Sequence, residues 1–224
     1  MYVALSKYRS VGGRVKKLLL VVGLLLSVGI TCAGQQVSVE LLGYSGGQWQ
    51  NGYPYSASIN GGSAINVMCD DYFHGGNPGD QWPANLTNLG TGDLSLTRFN
   101  QLQGALTLYE EVGWLLLETQ VEQQNQWKDM NGAAWFIFDN NAPLDQGAQF
   151  WLNAAEQEAQ GGFKGVDFTK VEIITPTNQH DPDPNGPQEF MTIVGSGGGT
   201  TPEPGTFILL GTGLLGLLGR KFLT

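Results

Sequence analysis

Positive charge is scarce in the body of this sequence. Between residues 35 and 199 only four basic side chains occur, Arg98, Lys128, Lys164 and Lys170, against 19 acidic ones from Glu40 to Glu189. Four minus 19 gives that stretch −15, steeper than the −9 of the whole chain, because most Lys and Arg lie near the two ends. So acidic a surface repels phosphate backbones and anionic head groups, which excludes a nucleic-acid function. Cysteine is almost as rare, with Cys32 and Cys69 alone. If Cys32 leaves with an N-terminal leader, Cys69 has no intrachain disulfide partner and is buried, paired between molecules, or reactive. Histidine occurs only as His74 and His180. Gly-x-Ser-x-Gly, His-Glu-x-x-His and a phosphate-cradling loop are all missing, which removes the common hydrolase and nucleotide signatures.

What the chain does have is two short apolar runs at opposite ends. Lys7, Arg9, Arg14, Lys16 and Lys17 precede Leu18–Ile30, and the small residues of TCAGQQ follow. A basic segment, an apolar run of about 7–15 residues and a small-residue cleavage site make a secretory signal peptide, expected here over residues 1–34. The second run, Phe207–Gly219, has 13 residues including four glycines, Gly211, Gly213, Gly216 and Gly219. A helix crossing the hydrocarbon core needs about 20 apolar residues, so this run spans poorly and acts at most as a short anchoring helix. Both runs carry their basic residues on the outer side, so both flanks begin in the cytoplasm and everything between them is translocated.

The last 24 residues, TPEPGTFILLGTGLLGLLGRKFLT, hold three parts in order: Pro202-Glu203-Pro204, a Gly-rich apolar segment, and Arg220-Lys221. This resembles the PEP-CTERM sorting signal of Gram-negative bacteria that make extracellular polysaccharide. Thr201 stands where Val is usual, and the basic cluster is only two residues. The resemblance implies an exosortase-like processing enzyme as partner, membrane association through the C-terminal segment, transient residence at the inner membrane, and release to the cell surface or extracellular matrix.

Residues 35–195 are expected to form one exported α+β domain, with 196–201 as a flexible linker and 202–224 as the sorting segment. Gln36–Tyr44 and Ser63–Met68 read as strands, with a Gly, Asn and Ser-rich loop between them. The stretch from Asp80 to Thr91 reads as turns, and Leu94–Phe99 as a short strand or a helix lead-in. Leu102, Leu106, Tyr109, Val112 and Leu116 recur at helical spacing. Two further helices are expected over Lys128–Phe138 and Leu144–Gln160, the last stopped by Gly161-Gly162. Val166–Thr175 and Glu189–Val194 return to strand. Terminal strands sharing a sheet around a helical middle is the expected architecture.

Candidate sites are few. Asp70, Asp71 and His74 beside Cys69 are metal-ligand and acid–base types, but no second cluster lies at ligand spacing. Adjacent carboxylates of this kind commonly sit in a solvated loop. DPDPNG places Asp181, Asp183 and Asn185 like the start of a calcium loop. Its twelfth position, however, is Thr192 where a bidentate Glu is needed. A polar turn is the plainer reading, and weak Ca²⁺ binding the alternative; no other cofactor is expected.

Cys69 at a strand end, followed by Trp135 on a later helix, is similar to the thioester domains of bacterial surface adhesins. In that family the Cys bonds to a Gln four residues before the Trp, and the thioester captures a nucleophile on a host or matrix surface. Here that position is Asn131, one methylene shorter. The resemblance implies a thioester-like pair, Cys69 and Asn131, either active or degenerate; Cys69 as a small buried hydrophobe is the other reading. The exported domain is thus expected to be a non-catalytic adhesion or structural module with a surface polysaccharide or protein ligand. The alternative is an exported enzyme using Cys69 or the Asp70/Asp71/His74 cluster.

Overall fold

Val37, Val39 and Leu41 are buried while Gln36, Ser38 and Leu42 between them are exposed, the period-2 pattern of a strand with one face on a core. The computed structural model describes residues 35–44 and 54–195. These form six antiparallel strands and three helices. The strands are β1 (Gln35–Tyr44), β2 (Tyr55–Ile59), β3 (Ile65–Cys69), β4 (Gln81–Asn88), β5 (Val171–Pro176) and β6 (Phe190–Ile193). The helices are α1 (Ala105–Glu118), α2 (Trp127–Phe138) and α3 (Gln146–Gly161). The expected α+β class holds, but the sheet is not open: its order β1-β2-β3-β6-β5-β4 returns to β1, closing a barrel. Closure removes both edges, which an open sheet of these strands would expose.

Two of the six strands depart from the sequence expectation. β2 falls inside the stretch read as a loop, and β4 replaces most of the turn read over Asp80–Thr91. After β2, Asn60 (φ 52) and Gly61 (φ 69) both take positive φ, and Gly62 N–H donates to the Ile59 carbonyl at 2.9 Å. This is an Asn-Gly turn of the kind that links antiparallel strands. β4 accommodates Pro83 because it lies at the end of the β4–β5 ladder, where its carbonyl still accepts from the Thr177 N–H at 3.0 Å and only the reciprocal bond is lost. Leu94–Phe99 forms turns rather than a strand or helix, and β5 starts at Val171, after a 3₁₀ turn over Phe168–Lys170.

The strand alternation divides the core in two. Val39, Leu41, Val67, Cys69, Ile174 and Phe190 pack together inside the barrel. Their strand neighbours Met68, Ile173 and Met191 face the other way and pack with Tyr109, Val112, Leu116, Met130 and Leu152 of the helices. Full burial of each such side chain contributes about 1.5–3 kcal/mol. α1 begins at Ala105 rather than near Gln101, because Gly104 (φ 74) precedes it. Leu102 and Leu106, assigned to its apolar face from spacing, are 41% and 40% exposed. The true inward face follows Tyr109, Val112 and Leu116, and Gly113 lets α1 approach closely, since a Cβ there would meet Leu89 Cδ2 at 2.7 Å. α3 is capped by Asp145, which accepts from Ala148 N–H at 2.9 Å, and ends at Gly162 (φ 71), as its sequence signals indicate.

Among the described residues no helix is long and apolar enough to cross a membrane. The expected signal helix, the C-terminal apolar helix and the sorting residues Pro202, Glu203, Pro204, Arg220 and Lys221 lie outside the described residues.

Candidate functional site

Cys69 is the last residue of β3, and the odd–even alternation that buries Val67 points its side chain into the barrel. It is 0% exposed, and its thiol donates to the Asp71 carbonyl at 3.3 Å. Burial, then the carboxylates of Asp71 and Asp70, push the thiol well above its ordinary value. A thiol held neutral in this way is a poor nucleophile. α2 packs against this strand end. Asn131, also 0% exposed, donates its side-chain N–H to the Cys69 carbonyl at 3.0 Å, and its Oδ1 is buried without a hydrogen-bond partner. One turn on, the Trp135 indole N–H acts on the Cys69 sulfur as a donor, short of a full hydrogen bond. Fold and helix together thus bring Cys69, Asn131 and Trp135 to one place.

The two carboxylates that follow Cys69 have opposite fates. Asp71 turns into a buried ion-pair network. Its Oδ2 accepts from Arg98 Nη1, from His74 Nδ1 at 2.8 Å and from the Glu189 N–H at 3.3 Å. His74 Nε2 faces the Asp181 carbonyl at 2.8 Å, while Nδ1 lies against both the Asp71 carboxylate and the Arg98 guanidinium. Burial works to raise the Asp71 pKa, but the His74 and Arg98 partners outweigh it and hold the carboxyl below its ordinary value. For His74, burial works downward; hydrogen bonds to Asp71 and Asp181 outweigh it, and the net shift is upward.

Glu189 extends the network on the other side of Arg98. It accepts from the Arg98 main-chain N–H at 2.9 Å, from the Tyr109 hydroxyl at 2.5 Å and from the Thr175 hydroxyl. Asp70 has none of this. It is 0% exposed, neither carboxyl oxygen has a hydrogen-bond partner, and burial followed by the charges of Glu189 and Asp71 drives its pKa far up, which favours the protonated acid.

Of the sequence candidates, then, Cys69 meets Asn131, and Asp71 meets His74, while Asp70 stands apart from both. His74 does not reach the Cys69 sulfur, because its nitrogens are engaged elsewhere. Among the described residues no three His, Cys, Asp or Glu side chains are placed to share a metal ion. Asp181 and Asp183 form successive Asx turns instead: Asp181 Oδ1 accepts from Asp183 N–H at 3.0 Å, and Asp183 Oδ1 from Asn185 N–H at 2.9 Å. Arg98, Glu189, Tyr109 and Thr175 were not foreseen. Arg98 alone carried a signal, as one of four basic residues in a stretch with 19 acids.

Above the buried Cys69 lies a cleft of about 360 Å³. Its aromatic lining is Tyr44, Tyr55, Tyr72 and Trp135, and its amides are Asn77, Asn185 and Gln188. Tyr72 and Trp135 rings are 5.5 Å apart and tilted by 52°; Tyr44 and Tyr55 meet edge-on at 4.9 Å.

A comparison with curated proteins finds no match. Residues 200–221 match the PEP-CTERM protein-sorting motif. This chain carries a PEP-CTERM signal. The PEP-CTERM motif implies an exported protein that is membrane-associated before surface display and is processed by an exosortase-like enzyme. Among solved structures, the described fold weakly resembles the N-terminal thioester domain of the fibronectin-binding protein SfbI from Streptococcus pyogenes. The identity is 12%, with 71% of this chain and 92% of that chain covered, at a TM-score of 0.41.

Proposed function

We propose that this PEP-CTERM protein is a non-catalytic adhesion or structural module, delivered to the cell surface or extracellular matrix by its C-terminal signal. The observation that carries delivery is the motif at residues 200–221. In this reading residues 1–34 are the signal peptide, 35–195 the exported domain and 196–201 a linker. The apolar run 207–219 holds the precursor in the inner membrane until processing. The non-catalytic reading is supported by the state of the candidate groups. Cys69 is a neutral buried thiol, and His74 and Asp71 are committed to each other and to Arg98. Neither is free to take a proton from a substrate.

Replacing Pro202, Glu203 and Pro204 together by alanine is the test of delivery. An unprocessed, membrane-held precursor is expected, and normal maturation would overturn the reading. The Cys69–Asn131 pair has its own test. A live thioester forms when the thiol attacks the side-chain amide carbon and expels ammonia. Asn131, with one methylene less than Gln and its N–H tied to the Cys69 carbonyl, supports an unreacted pair. The intact mass of the surface form should therefore equal its sequence mass and take no methylamine adduct. A mass short by one ammonia, restored as a methylamine adduct, would make the domain a covalent adhesin instead.

A further inference from the structure

Delivery leaves open what the displayed domain holds. We propose that the cleft above Cys69 binds a neutral glycan, with pyranose rings packed on its aromatic side chains and hydroxyls donated to its amide oxygens. This rests on the surface-module reading and assigns that module a ligand class.

Three features of the lining carry the inference. First, it contains no charged side chain, although 19 acidic residues occur between residues 35 and 199. An anion gains nothing there, and a cation finds no carboxylate to pair with. Second, the aromatic share is high: Tyr44, Tyr55, Tyr72 and Trp135 line one cavity, and Tyr72 is 41% exposed. A pyranose presents a patch of C–H groups on its ring faces, and such a patch packs on an aromatic ring while the equatorial hydroxyls stay outward. The exposed ring of Tyr72 offers such a surface to a sugar entering the cleft.

Third, the amides are oriented. Gln188 Nε2 donates to the Asp71 carbonyl at 3.2 Å and the His74 carbonyl at 2.6 Å. Asn185 Nδ2 donates to Asp183 Oδ1 at 3.1 Å, and Asn77 Nδ2 more loosely to Asp80 Oδ2 at 3.4 Å. With both its N–H groups engaged, Gln188 offers only its oxygen, while Asn77 and Asn185 each keep one N–H as well as an oxygen. The cleft therefore offers uncharged acceptors together with uncharged donors, and a sugar hydroxyl, which both donates and accepts, meets both. The ion-pair network sets the position of the Asp71 and His74 carbonyls that hold Gln188, so the buried cluster has a role in shaping the cleft. A volume of about 360 Å³ falls in the range of small-ligand sites.

The experiment uses the full chain, run through gels containing dextran, mannan or galactan, with alginate as the anionic probe and choline chloride as the cationic competitor. At least one neutral polysaccharide should retard the protein, and a tryptophan-fluorescence titration with its oligosaccharides should saturate. Tyr72→Ala should weaken that binding about tenfold or more, as for an alanine change at a central contact. Trp135→Ala is a harsher change that can disturb packing on Cys69, so the exposed Tyr72 carries the test. Phe150→Ala, at a residue 62% exposed on α3, should bind as the parent does. Retardation by none of the neutral polymers overturns the inference. So does equal binding of alginate, displacement by choline, or a Tyr72→Ala protein that binds like the parent. Processing of the precursor is scored separately, so a failed glycan site with normal maturation leaves the delivery reading standing.

Discussion

Two acidic segments, Cys69–His74 and Asp181–Pro187, look alike as sequence and behave as opposites in the fold. Each offers aspartates near a histidine, and each resembles a metal site. The first is buried: Asp71 pairs with both Arg98 and His74 in the interior, and the Asp70 carboxyl oxygens have no hydrogen-bond partner. The second is exposed, and its carboxylates accept from the main-chain N–H groups two residues on. The segments touch through His74 Nε2 and the Asp181 carbonyl, and through Gly75 N–H and the Pro184 carbonyl at 2.9 Å. The difference teaches that a carboxylate's role here follows from what surrounds it. In water an Asp shapes a turn for little energy; without water it needs a cation or it must keep its proton.

The sharpest way to break the comparison is to remove the shared cation. Arg98→Met leaves Asp71 with His74 alone and takes the nearby positive charge from buried Glu189, and should cost about 3–5 kcal/mol of unfolding free energy, read by urea denaturation. A loss below about 1 kcal/mol would put the buried segment in the same class as an exposed ion pair.

Asp70 supplies the next effect, in its pH dependence. Its folded pKa is raised above the unfolded value near 3.9, so the folded state binds more protons and stability falls as pH climbs from that value toward the folded one. The slope for one proton is about 1.4 kcal/mol per pH unit. Asp70→Asn should flatten that decline, and an unchanged slope would show that Asp70 is not the buried neutral acid.

His74 works with the same sign and a smaller span. Its folded pKa is raised, so the stability it contributes is full below its unfolded value near 6.5 and is lost as pH rises through the folded value. His74→Gln should therefore cost about 1–3 kcal/mol at pH 5, and less at pH 9. Asp71 has the opposite sign. Its folded pKa is lowered, and the stability it contributes above about 3.9 goes as pH falls through the folded value.

The smallest effect belongs to the exposed turn. Asp183→Ala should change stability by about 0.5 kcal/mol or less, and millimolar calcium should move the thermal midpoint by no more than about 1 °C. A larger calcium shift that Asp183→Ala abolishes would make the turn a cation site.

Much of the fold was legible where local rules act alone. α2 and α3 were expected close to their observed spans, α3 with its stop at Gly161-Gly162, and β1 followed from its alternation. β2 was missed although Asn60-Gly61 marks its end, because Gly, Asn and Ser around it read as loop. β4 was missed because Pro83 and three polar residues, Asn85, Thr87 and Asn88, hide a strand whose partners lie far along the chain. Resemblance of the segments named Cys69 and Asn131 together, and the fold sets the Asn131 side-chain N–H on the Cys69 carbonyl; the pairing of Asp71 with Arg98 had no such signal.

The sequence by itself determined the delivery of this protein. A sorting signal is read as a linear segment, so residues 200–221 carry it without any partner from the rest of the chain. It also determined the acidic character of the exported part and the absence of familiar catalytic sets. Only the tertiary structure decided that two neighbouring aspartates have pKa values shifted in opposite directions, that Cys69 is buried with its pKa raised, and that four aromatic rings from separate segments line one cleft. Those outcomes depend on burial and on contacts between residues as distant as Asp71 and Glu189, whose proximity exists only once β3 and β6 pair.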